Sequence, residues 1–94
     1  MYPTSRPPDP PARNCVEEAT FADQKAKLGV TVRRLDEILE GALLKIARFP
    51  ERSFPTPGTS LCSELTRPFP DAPIVWLLFS YDDEAVYLRW IELY

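Results

Sequence analysis

The sequence predicts a small α+β domain: a weak first strand, two helices, then a three-stranded antiparallel meander. Three observations predict it. Residues 74–94, IVWLLFSYDDEAVYLRWIELY, form two runs rich in Val, Leu, Ile, Phe, Tyr and Trp, split by Asp82-Asp83-Glu84, a composition that fits pleated, largely buried strands joined by a polar turn. Residues 32–49 place apolar side chains three and four apart, the period of one helix face. The 94 residues suffice for one small domain and not two.

Residues 1–13, MYPTSRPPDPPAR, hold Pro3, Pro7, Pro8, Pro10 and Pro11. Proline fixes φ and lacks an amide donor, so this segment is expected to be a disordered, extended arm of polyproline character outside the domain, which begins at residue 14. Residues 14–18, NCVEE, are the weak first strand. Thr20 is an N-cap candidate for a short helix over Phe21–Leu28, which Gly29 closes by adopting a left-handed conformation at little cost.

Thr31 is a second N-cap candidate, opening a helix over Val32–Phe49. Leu35, Ile38, Leu39, Ala42, Leu43, Ile46 and Phe49 share one face, and Pro50 ends the helix because a residue before proline disfavours helical dihedrals. Gly41 either weakens this helix or admits another backbone. Residues 50–60, PERSFPTPGTS, are punctuated by proline and glycine and read as a loop. Residues 61–67, LCSELTR, set Leu61, Ser63 and Leu65 against Cys62, Glu64 and Thr66, the alternation of a half-exposed strand. Pro68, Pro70 and Pro73 enclose a turn. In the closing hairpin, Val75-Trp76-Leu77-Leu78-Phe79 runs on without a polar break, as in a strand covered on both faces or a central strand of a small sheet.

Composition narrows the functional classes. The net charge is −3, whereas a phosphate-backbone binder carries a basic excess. Residues 61–94 hold only Arg67 and Arg89 against Glu64, Asp71, Asp82, Asp83, Glu84 and Glu92; the basic side chains concentrate upstream. Two cysteines, Cys15 and Cys62, and no histidine do not supply the ligand set of a structural zinc, so no metal site is expected, and the commonest general base is missing. The cysteines read as buried, reduced thiols. Asp82-Asp83-Glu84 reads as a solvated turn rather than a cation site. No apolar run approaches the ~20 residues of a membrane span, and the opening is Pro-rich rather than an apolar leader, so a cytoplasmic protein without cofactor is expected.

The element order, and the hairpin above all, resembles the RelE/ParE superfamily of type II toxin–antitoxin toxins. The likeness spans residues 14–94 and is carried by LDEILEGALLKIARFP, an amphipathic helix ending at proline; by the loop holding Gly58; and by VWLLFSYDDEAVYLRWI, which looks like the closing strand pair of that family. The resemblance implies one of two activities: metal-independent cleavage of ribosome-bound mRNA by Lys, Arg and a C-terminal Tyr or His, or poisoning of DNA gyrase without that set. In both, a cognate antitoxin wraps the toxin.

The catalytic set carries over poorly. Trp76 stands where an arginine of the penultimate strand would be, and a tryptophan cannot stabilise a phosphorane. The preceding strand offers only Arg67, and Arg89 and Tyr94 are near the expected places without matching them. Arg67, Arg89 and Tyr94 are therefore the catalytic candidates only if a rearranged nuclease site exists. The plainer role for Arg89 is an ion pair with Asp82, Glu64 or Glu92, its aliphatic stem along the sheet. Trp76, Trp90, Tyr81 and Tyr87 are the partner-binding candidates, because helices on one side of a small sheet leave the other apolar side in need of cover. The sequence thus points to a toxin-like domain that acts by binding protein, an antitoxin-like chain or its own copy, with a degenerate nuclease site. An active mRNA endonuclease and a gyrase-directed toxin are the rival readings.

Overall fold

In the computed structural model, which describes residues 11–30, 32–68 and 70–94, the elements follow the chain as β1 (Asn14–Glu17), α1 (Ala19–Ala26), α2 (Val32–Arg48), a 3₁₀ turn (Pro50–Arg52), β2 (Phe54–Pro55), β3 (Cys62–Leu65), β4 (Val75–Tyr81) and β5 (Ala85–Leu93). The architecture is α+β, two helices on a five-stranded sheet of order β1-β5-β4-β3-β2. In place of the expected three-stranded antiparallel meander, the sheet is larger and mixed. β2 to β5 run antiparallel to their neighbours, whereas β1 lies parallel to β5 at the edge. Parallel neighbours require a long crossover, and everything between β1 and β5 supplies it. Asn14 N–H donates to Glu84 O at 3.3 Å and Glu18 N–H to Leu88 O at 3.1 Å, fastening the two ends of β1.

Alternation along the central strands sorts their side chains. Val75, Leu77 and Phe79 of β4 and Val86, Leu88 and Ile91 of β5 are buried against Phe21 of α1 and Leu35, Ile38, Leu39 and Ile46 of α2. Burying each such side chain stabilises the fold by about 1.5–3 kcal/mol. All these strand residues point to the helix side, so both helices cover the same face. The unbroken apolar run in β4 thus comes from a strand with one face in the core and the other lined by tryptophan and leucine.

The inward positions of β5 break step, from Leu88 to Ile91. Leu78 pairs with Trp90 and Phe79 with Leu88, leaving Arg89 as the extra residue of a β-bulge. A bulge re-aims the side chains that follow it. Without this one, Trp90 would share the inward side of Val86 and Leu88; with it, Trp90 faces away from the helices opposite Leu78.

Several local expectations change. α1 begins at Ala19, with Glu18 in an extended conformation at its N-cap and no side-chain capping bond, so Thr20 lies inside the helix rather than ahead of it. Gly29 has φ +73°, the left-handed conformation expected after α1. Thr31 and residues 1–10 of the Pro-rich arm lie outside the described residues. The stretch read as a loop contains β2, whose Phe54 and Pro55 pair with Ser63 and Cys62. In β3 the side turned to the helices carries Glu64, which is buried, while Leu65 is exposed. Cys62 is half-buried but Cys15 is exposed, against the expectation of two buried thiols; both are free. Among the described residues no helix is long and apolar enough to cross a membrane.

Candidate functional site

The sheet face turned away from the helices is built by the same alternation that builds the core. β4 contributes Trp76, Leu78 and Ser80; β5 contributes Tyr87, Trp90 and Glu92; β3 contributes Ser63 and Leu65, as their cross-strand registers require. Leu78 stands between Ser63 and Trp90, and Trp76 between Leu65 and Glu92. Trp76 and Trp90 are therefore diagonal neighbours on adjacent strands, within reach of one another for large side chains. Both are half-buried, and Leu65 and Phe54 at the β2 side are 37% and 69% exposed. The result is an aromatic and aliphatic surface with no second layer of this chain's described residues over it.

Arg89 closes one end of this surface. Its guanidinium donates from Nε and Nη2 to Ser80 Oγ at 3.2 and 3.0 Å and pairs through Nη1 with Glu18 Oε1 at 2.8 Å. It also lies 5.8 Å from the centre of the Tyr87 ring, inside the range of a cation–π contact. The carboxylate partner of Arg89 is Glu18, not Asp82, Glu64 or Glu92. Its N–H groups reach from β5 to one neighbouring strand, at Ser80, and to the start of α1, at Glu18, so the cation serves as a strut across the sheet.

Tyr87 is held by the turn. Asp82 Oδ1 accepts from the amides of Glu84 and Ala85, each at 2.8 Å, and Asp82 Oδ2 accepts from Tyr87 Oη at 3.0 Å. The amides of Ala85 and Glu84 and the Tyr87 hydroxyl keep the Asp82 carboxyl below its ordinary value. The same hydrogen bond and the carboxylate charge push the Tyr87 phenol above its own. Tyr87 is thus a poor proton acceptor at neutral pH, and the Asp82 oxygens are occupied within their own turn. Desolvation raises both Cys15 and Cys62, which lowers their thiolate fraction and their value as nucleophiles.

The catalytic candidates are not gathered. Arg67 lies exposed just past β3 and Tyr94, 80% exposed, just past β5. Thr66 N–H donates to Val75 O and Tyr94 N–H to Ile74 O, so both candidates flank the start of β4. Arg89 is five residues up β5 from Tyr94, about 16 Å along a strand. Of the four partner-binding candidates, Trp76, Trp90 and Tyr87 share the open face. Tyr81 falls on the helix side of β4, with its ring 6.4 Å from that of Phe79 and 5.7 Å from the Arg13 guanidinium.

A polar cluster escaped the sequence reading. Glu64, 7% exposed, accepts from Ser53 Oγ at 2.8 Å on one oxygen and from Lys45 Nζ at 3.2 Å on the other. An acidic residue in the alternating stretch 61–67 was the available signal; its inward orientation needed the β3–β4 register. Compared with known proteins, the chain matches no protein-family model, no curated protein and no solved structure.

Proposed function

We propose that this chain is a RelE/ParE toxin-like domain of a cytoplasmic toxin–antitoxin module that works by binding protein, with a degenerate nuclease site. One observation carries the reading: the open sheet face that sets Trp76, Leu78 and Trp90 side by side. Tryptophan anchors of this kind concentrate binding energy at protein interfaces. The occupant is an antitoxin-like segment with one apolar stripe. The centre of the face is apolar, and its rim carries the neutral Arg89–Glu18 pair at one end and the Glu92 carboxylate at the other, a difference in charge that gives such a segment a direction. The separation of Arg89 from Tyr94 and the engagement of the Arg89 guanidinium support the non-nuclease side of the reading.

The test is titration of the purified chain with the polypeptide encoded by the adjacent reading frame, followed by tryptophan fluorescence. The expected result is a blue shift as Trp76 and Trp90 leave water, with affinity falling roughly thirtyfold or more in Trp90→Ser. A complex formed equally well by Trp76→Ser and Trp90→Ser rules out this face. In-frame cleavage of ribosome-bound mRNA that disappears on Arg89→Ala rules out the non-nuclease reading.

A further inference from the structure

On the helix side of the molecule, α2 and β3 enclose a cleft of about 610 Å³, within the size range of small-ligand sites. Its walls include the apolar Ile38, Ala42 and Leu65, and its charged groups are Lys45, Glu64 and Arg67. Glu64 is deep, and both of its oxygens are engaged, by Ser53 and Lys45. Lys45 offsets that charge. Arg67 has no hydrogen bond or ion pair among the described residues, so the cleft keeps one net positive charge in a chain of net charge −3.

A second observation comes from Gly41, which lines the same cleft in the interior of α2. Its backbone is not left-handed, and a Cβ built on it meets no atom of the described residues within 4 Å. Neither conformation nor crowding among the described residues calls for glycine, although alanine there would favour the helix by about 1 kcal/mol. What glycine provides is a notch in the wall of the cleft, beside the methyl of Ala42.

We infer that this cleft binds an apolar group bearing a carboxylate, the anion held by Arg67 with Lys45 beside it and the hydrocarbon seated in the notch at Gly41. A guanidinium whose donors meet no partner among the described residues suits a carboxylate, which it can meet with two parallel hydrogen bonds. Two sources offer this chemistry: a free branched-chain acid and the C-terminal residue of a peptide. Nothing in this site uses Trp76, Leu78 or Trp90 of the open sheet face, which the cleft meets only at Leu65, at the free margin of β3.

The experiment is amide chemical-shift mapping on the full isotope-labelled chain. Isocaproate is the free acid, the dipeptide Gly-Leu the terminal one, isocaproamide the uncharged match and acetate the anion without hydrocarbon. Isocaproate or Gly-Leu is expected to shift the amides of Gly41, Ala42 and Thr66, and whichever binds tighter identifies the source. Isocaproamide and acetate are expected to shift them far less. Arg67→Gln, an exposed substitution that spares the fold, should weaken binding roughly tenfold, and Gly41→Leu should block it while leaving the rest of the spectrum in place. Shifts absent from the cleft, equal shifts with isocaproamide or acetate, or binding unchanged in Arg67→Gln would overturn the inference.

Discussion

Arg89 Nη1 lies 2.8 Å from Glu18 Oε1, so the bulge residue of β5 is tied to the residue that opens α1. Glu18 already donates its amide to Leu88 O, and the ion pair secures the same junction from the side chain. The two side chains are 44% and 37% exposed, and solvent screening limits such a pair to about 0.2–1 kcal/mol. A double-mutant cycle of Arg89→Ala and Glu18→Ala in urea unfolding should return a coupling in that range. Strict additivity would show that the contact does not hold the junction.

The two faces of the sheet should respond differently to truncation. Leu77 is fully buried between β4 and the helices, and Leu77→Ala is expected to cost about 2–5 kcal/mol in denaturant unfolding. Leu65, partly exposed on the open face, should tolerate Leu65→Ser within about 1 kcal/mol. Equal losses at the two sites would mean that the open face is already covered in the isolated chain.

Asp82 sets an acid limit on the hairpin. Its folded value is depressed below 3.8, first by the Ala85 amide, so its contribution is present above the unfolded value and is lost as pH falls through the folded one. Melting temperature should therefore drop on acidification below about pH 4, and less steeply in Asp82→Asn. Tyr87 works in the opposite sense: its folded value is raised above 10.0 by Asp82, so its contribution is present at neutral pH and is lost as pH rises through that folded value. Titration of Tyr87 followed by ultraviolet absorbance should show ionisation delayed relative to a free tyrosine, and the delay should vanish in Asp82→Asn.

Gly41→Ala should raise stability by about 1 kcal/mol, since the added methyl meets no neighbour among the described residues and the helix gains propensity. A melting temperature that falls instead would show that the notch is filled by contacts of this chain.

Where local chemistry decides structure, the sequence was readable. The spacing of Leu35, Ile38, Leu39 and Ile46 placed α2, and Asp82 marked the hairpin turn because its carboxylate caps the following amides. The parallel seat of β1 on β5 depends on pairing between opposite ends of the chain, for which Asn14–Glu17 carries no local signal. β2 is two residues in a proline-rich stretch, defined by its pairing with β3. For the candidate site, the aromatic residues were legible and their shared face was not. One unpaired residue, Arg89, decides which way Trp90 points, and a period-two reading counts past it. Arg89 pairs with Glu18 and not with Asp82, Glu64 or Glu92, and parity alone put Tyr81 on the helix side.

Pro55 sits in the outermost strand of the sheet, where it has no amide to give. A strand from a neighbouring molecule finds there a two-residue edge with a missing donor, a poor template for cross-β growth. The opposite margin, β1, is exposed along all four residues and holds no proline. Fibril formation in concentrated samples should therefore nucleate on that side, and a proline introduced at Cys15 should suppress it.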